Sequence, residues 1–394
     1  MPPGAIAACP RCDAVLRHTK SDPFVPPLAF NLAALVLFGV GASWSLLSVS
    51  TAGQSRDAGL FTGPGALEQF GLWELSVVVL LTTFAAPLAR ILCMIAVLLG
   101  LRLANRPPGI RLLFGLVEHL RPWSMVEIFL LGLFVAFVRL SDLAHIDLGP
   151  AVIALAVLTV TMVLADVMLD PQAVWDALDA QKPKHPARPH SAAALGRSVH
   201  PMGCETCCLV TLGRDGALCP RCGFALRHRK RDSLTRTLAL AIAAMVLYIP
   251  ANTYPVLTVI QFGAGQPSTI LGGVIELLQA GMWPLAALVF FASVAVPVLK
   301  LIGLLVLLTT TALGVRARRR DRTVLYRIVD AVGRWSMIDI FMESILVALV
   351  QFGSVVTIAP GPGAIAFAAV VVLTMLAARA FDPRLIWDRA EANA

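Results

Sequence analysis

The sequence predicts an all-α polytopic membrane protein with two tandem modules of four membrane-spanning helices, about eight spans in all, and small cytoplasmic zinc-ribbon modules. Three observations predict it. Of the 394 residues, 58% are hydrophobic and 14% are charged, whereas soluble domains carry roughly 25% charged residues. Apolar runs close to the ~20 residues that cross a bilayer recur along the chain. The chain also repeats itself. This composition excludes a disordered, collagenous or disulfide-rich secreted protein.

The apolar runs are long and lack the period-two alternation of barrel strands, which favours helices. The eight predicted spans are approximately 28–49, 72–103, 123–143, 151–169, 238–260, 281–313, 335–357 and 363–381. Polar sequence with two cysteines precedes the first run, so no cleavable signal peptide is expected.

Clusters of basic residues set the expected orientation. They lie at 102–111, 227–231 and 316–322, which an eight-span chain places on one side together with both termini. Loops rich in Lys and Arg stay on the cytoplasmic side, so both termini are expected there. No aromatic-interleaved binding element accompanies the clusters, and no nucleic-acid partner is expected.

An internal duplication organises the chain. The residues Cys9-Pro10-Arg11-Cys12 recur 210 positions later, and Trp123-Ser124-Met125 recurs 212 positions later as Trp335-Ser336-Met337. Each half is a cysteine module followed by four spans, and an even number makes the repeats parallel. The predicted domains are a degenerate cysteine module at 1–27, a first four-helix module at 28–175, a cytoplasmic linker at 176–203, a zinc ribbon at 204–232 and a second four-helix module at 233–394.

The second cysteine module has the spacing of a zinc ribbon. Cys204 and Cys207 form one Cys-x2-Cys pair, and Cys219 and Cys222 form the other. Two such turns close a tetrahedron of sulfurs around a structural Zn²⁺, and thiolates persist in the reducing cytoplasm. A redox Cys-x-x-Cys and a disulfide pair remain alternatives, and the adjacent Cys208 leaves the second ligand open.

The first cysteine module is incomplete. Only Cys9 and Cys12 are present, because the positions 210 residues before Cys204 and Cys207 precede Met1. Two sulfurs do not fill a four-coordinate structural site. The favoured interpretation is that this module is the vestige of a complete ribbon. The alternatives are that its other ligands come from elsewhere in the protein, or that the start of the chain is wrongly assigned.

Charged side chains inside the apolar runs are costly and indicate function. Lys300 lies 19 residues after Gly281 and 16 before Arg316, about 28 Å and 24 Å along a helix, too far to reach either interface easily. Pro297 has no N–H, so the carbonyl of Ser293 loses its helical hydrogen bond. Ser293 and Lys300 are seven residues apart and lie on nearly the same helix face.

The next run carries Ser336, Asp339 and Glu343 on one helix face. Asp339 is the expected counter-charge of Lys300, and a proton gained or lost by this pair is the expected coupling device. A static ion pair that holds helices together is the alternative. The second half is preferred as the active one, because a buried Lys titrates whereas Arg stays charged. The related candidates in the first half are Arg90, Glu127, Arg139 and Asp142.

The duplicated Trp-Ser-Met-x-Glu/Asp-Ile-Phe motif, the ribbon ending in Leu226-Arg227-His228 and the four spans per half resemble the paraquat-inducible protein A (PqiA/LetA) family over nearly the whole chain. The resemblance implies a multi-pass inner-membrane protein of double-membraned bacteria that passes phospholipids to or from a periplasmic MCE-domain partner. The absent first Cys-x2-Cys pair departs from the family pattern. Transferred to this sequence, the polar intramembrane residues of the family are Arg139, Asp142, Ser293, Lys300, Ser336, Asp339 and Thr374.

Other functions stay open at this stage. No hydrolase, nucleotide-binding or haem signature is present, so no enzyme is expected and any energy input comes from a partner or an ion gradient. The alternatives are an ion-coupled small-solute transporter, a membrane thiol redox protein, and a structural anchor for the MCE protein. Segments 50–70 and 261–280 are expected to face the periplasm and to receive that partner.

Overall fold

The computed structural model describes residues 4–9, 15–20, 22–51, 54–103, 107, 109–141, 145–180, 200–261, 264–333, 335–350 and 356–392. The chain divides into two compact units that do not coincide with the sequence halves. One unit comprises residues 1–38, 86–124 and 157–230, and the other comprises residues 39–85, 125–156 and 231–394.

The first half opens on a two-stranded hairpin and continues as helices interrupted by short strands. Its elements are β1 (Ile6–Ala8), β2 (Val15–His18), α1 (Val25–Ser43), β3 (Leu47–Thr51), β4 (Gln54–Ala58), α2 (Thr62–Gln69), α3 (Trp73–Leu80), α4 (Ala86–Gly100), α5 (Ile110–Leu120), α6 (Val126–Ser141), β5 (His145–Leu148), α7 (Pro150–Met168) and α8 (Pro171–Asp179).

The second half repeats this order. Its elements are β6 (His200–Gly203), β7 (Val210–Gly213), α9 (Ser233–Thr253), β8 (Leu257–Gln261), β9 (Ala264–Ser268), α10 (Ile270–Gln279), α11 (Trp283–Phe290), α12 (Val296–Ala312), α13 (Arg319–Gly333), α14 (Ile338–Leu349), β10 (Val356–Pro360), α15 (Pro362–Ala380) and α16 (Leu385–Ala392). The predicted linker thus begins inside α8 and ends in β6, and residues 181–199 lie outside the described part.

The predicted helical membrane fold is confirmed, but the count of eight spanning helices is not. Among the described residues, six continuous helical segments are long and apolar enough to cross a bilayer: α1, α3–α4, α7, α9, α11–α12 and α15. The third and seventh predicted runs form α6, of 16 residues, and α14, of 12 residues. These helices measure about 24 Å and 18 Å, short of the ~30 Å hydrocarbon core.

A second difference from the prediction is that the first and fifth apolar runs end in strands. Leu47–Thr51 and Leu257–Gln261, predicted as helix ends, instead form the central strands of two antiparallel sheets with the orders β4-β3-β5 and β10-β8-β9. β-branched residues fit a pleated strand better than a helix. Because β10 pairs with β8, the chain after α14 returns to the end where α9 finishes.

Glycines at matching positions of the two repeats let the helix that follows each sheet begin in close contact with neighbouring backbone. Gly361 donates its N–H to the carbonyl of Val256 at 2.7 Å, and Gly149 donates to Leu46 at 2.8 Å. A Cβ atom at Gly361 would lie 2.2 Å from the Pro255 oxygen, closer than any side chain permits. The two glycines are 212 residues apart, so the same close backbone contact occurs in both repeats.

In each half, a π-helical turn lies within a long helical segment, just before Pro87 or Pro297. The turns cover Leu81–Ala85 and Phe291–Ala295, between α3 and α4 and between α11 and α12. Proline has no N–H to donate and its ring crowds the preceding turn, and a wider turn accommodates this inside a continuous helix. The backbone therefore bulges near Ser293, where the sequence predicted a freed carbonyl.

The two helices that carry the duplicated motif pack against each other in the larger unit. Gly132 of α6 lies over the start of α14, where an added Cβ would be 3.1 Å from the Ile338 oxygen. The rings of Phe129 and Phe341 meet edge to face at 5.8 Å. All twelve residues of α14 are buried. This apolar run therefore sits inside the helical bundle, which explains how it carries acidic residues.

Candidate functional site

A pocket in the larger unit brings together three of the polar residues that the sequence singled out. It contains about 440 Å³ of empty space, part of it open to the surroundings. Ser293, from the π-helical turn, and Asp339 and Glu343, from α14, line it beside apolar side chains and the starts of β8 and α10. The pocket thus extends from the β8–β9 end of the bundle to the polar face of α14.

The two carboxylates owe their position to helical spacing. Asp339 and Glu343 are four residues apart, so both project from one face of α14, and each is only 4% exposed. Buried carboxylates are costly unless a partner or a polar cavity receives them. Together with Ser293 they make this wall of the pocket polar.

Lys300 lies on the same helical segment as Ser293, seven residues further along, and is 2% exposed. Its Nζ donates a hydrogen bond to Thr374 Oγ1 of α15 at 2.9 Å. Gly333, at the end of α13, leaves room for the lysine, because a Cβ there would lie 3.0 Å from Nζ. The structure shows no ion pair between the described residues Lys300 and Asp339, contrary to the expected pair.

The repeat-related site in the smaller unit is built differently. Arg90 of α4, at the position of Lys300, forms an ion pair with Asp166 of α7. Arg121 lies 3.6 Å from the other oxygen of this carboxylate. In the second half, Ala378 occupies the position that corresponds to Asp166. The first half therefore holds a closed ion pair where the second half holds a lysine bonded to a hydroxyl.

The remaining predicted site residues have different surroundings. Ser336 is buried just before α14, whereas Glu127, the counterpart of Asp339, is exposed. Arg139 belongs to α6, and Asp142 lies outside the described residues. The roles of all these residues remain predictions.

Sequence reasoning missed two features of these sites. Asp166 was not singled out, although a lone acid in the fourth apolar run was the available signal. Glu343 was placed on the polar face but left out of the site, although its spacing from Asp339 puts it in the same pocket.

The ribbon cysteines form a cluster that fits a metal ion. The sulfurs of Cys204, Cys207, Cys219 and Cys222 all lie within 4.8 Å of one another, and all four residues are buried. The Cys204–Cys222 and Cys207–Cys219 distances are 3.4 and 3.5 Å. A tetrahedron with metal–sulfur bonds of about 2.3 Å needs about 3.8 Å between sulfurs, so these two pairs would lengthen by a few tenths of an ångström around a bound ion.

The two Cys-x2-Cys turns already favour a thiolate at one position. Burial acts to raise the pKa of the Cys219 thiol, but hydrogen bonds from the backbone N–H groups of Cys222 and Arg221 overcome it and lower the pKa. Burial raises the pKa of Cys222 to about 12. A cation among the sulfurs supplies the charge that lets the other thiols ionise.

Cys208 is not part of the cluster. It is exposed and adopts a positive φ of 57°, with its N–H donating to the Cys204 carbonyl at 3.0 Å. Cys207 is therefore the second sulfur. In the first module, Cys9 is described and lies at the end of β1, whereas Cys12 lies outside the described residues.

The ribbon packs onto the terminal helix of the first module. Arg221, inside the second Cys-x2-Cys turn, bonds Asp179 at 2.6 Å and Asp176 at 2.8 Å, both on α8. Burial alone would lower the pKa of Arg221, but the bonds to Asp179 and Asp176 raise it. The ring of Phe224 stacks on His119 of α5 at 5.3 Å.

We expect Arg221→Ala to release the ribbon from α8 without emptying the metal site. The variant removes three hydrogen bonds to α8, two to carboxylates and one to Gln172, together worth about 1–3 kcal/mol because the acids are partly solvated. Hydrogen exchange at residues 200–230 should quicken about tenfold with metal content unchanged. Arg214→Ala, an exposed change in the same ribbon, is the control, and equal exchange in both variants would contradict this docking.

The comparisons with known proteins agree with the resemblance in sequence. The sequence model of the family "Paraquat-inducible protein A" matches residues 26–179 and 234–391, once in each half. The chain is 36% identical over 390 residues to "Intermembrane transport protein PqiA" of Escherichia coli (strain K12), covering 98% of this chain and 91% of that protein.

Two further relatives match over similar lengths. "Lipophilic envelope-spanning tunnel protein A" of Escherichia coli (strain K12) is 30% identical over 389 residues, covering 98% of this chain and 87% of that protein. "Probable intermembrane transport protein" of Haemophilus influenzae is 26% identical over 388 residues, covering 97% and 90%. No solved structure matches the chain.

Proposed function

Because the chain belongs to the paraquat-inducible protein A family, we propose that it is the inner-membrane component of an MCE-type intermembrane lipid transport system. In this role it loads phospholipids into a periplasmic MCE tunnel or extracts them from it. The names of its relatives, two intermembrane transport proteins and an envelope-spanning tunnel protein, support a role in transport.

One observation carries the proposal: a partly open pocket with buried carboxylates in the larger unit. Ligand pockets commonly have mostly apolar walls and a few polar groups. Asp339 and Glu343 supply the polar groups, and Ser293 joins them to the helix that carries Lys300. An amphipathic molecule suits such a pocket, because its polar head meets the carboxylates and its chains meet the apolar wall.

Protonation of the Lys300–Asp339 region is the energy coupling that we propose. Lys300 is buried and hydrogen-bonded to a hydroxyl, and the carboxylate among the described residues that acts on its charge, Asp330 of α13, makes no direct ion pair with it. The Arg90–Asp166 pair of the first half is the structural counterpart. Both termini and the ribbon are assigned to the cytoplasm, where Cys204, Cys207, Cys219 and Cys222 hold a structural Zn²⁺.

Reconstitution with the periplasmic MCE partner tests the proposal. Donor proteoliposomes containing the chain and labelled phospholipid are mixed with acceptor vesicles, with and without the MCE protein. We expect lipid transfer only when both proteins are present. Two other results contradict the proposal: uptake of a small solute by the chain alone indicates a solute transporter, and function-linked cycling of metal-free thiols indicates a redox protein.

A further inference from the structure

Helix α13 packs alongside two helices of the larger unit that are long and apolar enough to cross a bilayer. It runs antiparallel to α12, because an added Cβ at Gly303 would lie 2.8 Å from Val329 Cγ2 and one at Gly333 would lie 3.0 Å from Lys300 Nζ. Val329 also belongs to a buried cluster with residues from the last turn of α15. Since α15 ends one residue turn beyond this cluster, α13 lies at the depth where a bilayer has its head groups.

The surface of α13 is partly inverted relative to that of a soluble helix. Arg322 and Thr323 are buried against the protein, whereas Val324 and Ile328, one turn apart on one face, are 42% and 53% exposed. Trp335, just beyond the helix, is 54% exposed. A helix in water turns its apolar stripe toward the core, so these outward apolar side chains indicate a lipid environment.

The segment that contains α13 is also strongly basic. Residues 316–334 include seven Arg and two Asp. Arg320 and Arg327 are exposed and lie about one turn before and after Val324, on the same side of the helix. A guanidinium has five N–H donors, so an arginine binds a phosphate while it keeps other contacts within the protein.

From these observations we propose that the outward face of α13 binds acidic phospholipids of the surrounding bilayer. The guanidinium groups of Arg320 and Arg327 meet the phosphates, and Val324 and Ile328 contact the acyl chains just below them. An acidic surface attracts each nearby arginine, and burial of the apolar side chains adds to the binding. An acidic protein would satisfy the arginines but would leave no lipid against the apolar face. The inference concerns lipid around the protein and does not depend on the proposed transport.

Hydrogen exchange of the full-length protein in lipid nanodiscs tests this inference. Discs of phosphatidylcholine are compared with discs that contain equal parts of phosphatidylcholine and phosphatidylglycerol with the same acyl chains. The amides of residues 319–333 should exchange about tenfold more slowly in the acidic discs, because a helix held by lipid opens less often. High salt should remove much of this difference.

The double variant Arg320→Gln with Arg327→Gln should exchange at nearly the same rate in the two kinds of disc. The matched control is Arg214→Gln with Arg227→Gln, which removes two exposed arginines of the ribbon and should keep the parent difference. Thermal unfolding at the parent temperature verifies that both double variants are folded.

Helix α5 is an internal control within the same measurement. It occupies the corresponding place in the first half and exposes Leu112 and Leu116, but Arg111 and Glu118 balance its charge. Its exchange should therefore be nearly equal in the two kinds of disc.

Three results would overturn the inference. The first is equal exchange of residues 319–333 in the two kinds of disc, and the second is a difference that survives in the Arg320→Gln, Arg327→Gln variant. The third is the same slowing when inorganic phosphate is added to phosphatidylcholine discs, which would assign the arginines to a free anion. None of these results bears on lipid transfer to an MCE protein, so the proposed function is tested separately.

Discussion

Replacing Lys300 by Met is expected to stop lipid transfer and to leave the protein as stable as the parent or more stable. Lys300 is buried and its Nζ contacts a hydroxyl, Thr374 Oγ1. A buried charge without a close ion pair costs several kcal/mol, and methionine fills a similar volume without that cost. If the ammonium group serves transport, its removal lowers the transfer rate more than tenfold while the unfolding temperature holds or rises.

The first half provides the matched comparison for this prediction. Arg90→Met leaves the partly buried Asp166 without the closer of its two cationic neighbours, so we expect destabilisation of about 2 kcal/mol. Arg90→Met should therefore lower the unfolding temperature, whereas Lys300→Met should leave it unchanged or raise it. Thermal unfolding in one detergent and transfer assays in one vesicle system measure both effects. A lower unfolding temperature in Lys300→Met, with transfer falling only in proportion to the folded fraction, would assign Lys300 a structural role.

Replacing Cys207 by Ser is expected to empty the metal site and unfold the ribbon. Cys207 contributes one of four clustered sulfurs and is fully buried. Three thiolates bind a structural metal far more weakly than four, and small zinc modules unfold without their metal. Elemental analysis should fall from one zinc per chain to nearly zero, and residues 200–230 should become sensitive to protease.

The chain offers a close control for that substitution. Cys208→Ser changes the neighbouring residue, which is exposed and outside the cluster, and should keep the metal. Cys9→Ser should also keep it if the first module is a vestige. Retention of zinc by Cys207→Ser, or its loss in Cys208→Ser, would mean that the metal is held by a different set of ligands.

Sequence patterns predicted the helical membrane fold because hydropathy and basic clusters act locally. They also predicted the ribbon, since the spacing of Cys204, Cys207, Cys219 and Cys222 is itself the signal. The sequence did not predict the strands β3 and β8, because a short apolar run has the same hydropathy pattern in a buried helix and in a buried strand. Their partners β5 and β10 lie about a hundred residues away in sequence.

The sequence predicted which residues belong to the candidate site, but not all the contacts that they make. Helical spacing placed Asp339 and Glu343 on one face, and burial cost identified Lys300. Which side chains meet across helices depends on packing that spacing within one helix does not encode. The structure accordingly pairs Lys300 with Thr374 rather than with Asp339, and pairs Arg90 with an acid of a different run.

The docking of the ribbon onto α8 also fixes an order of maturation during synthesis. Arg221 leaves the ribosome 42 residues after Asp179, a delay of about 2–8 s at ordinary translation rates. Throughout that interval the cationic partners of Asp176 and Asp179 are Arg17 and Arg111, which precede α8 in the chain. The ribbon therefore docks last, onto a helix whose acids are already partly neutralised, and Arg221 completes a cluster of charges that the first module has begun.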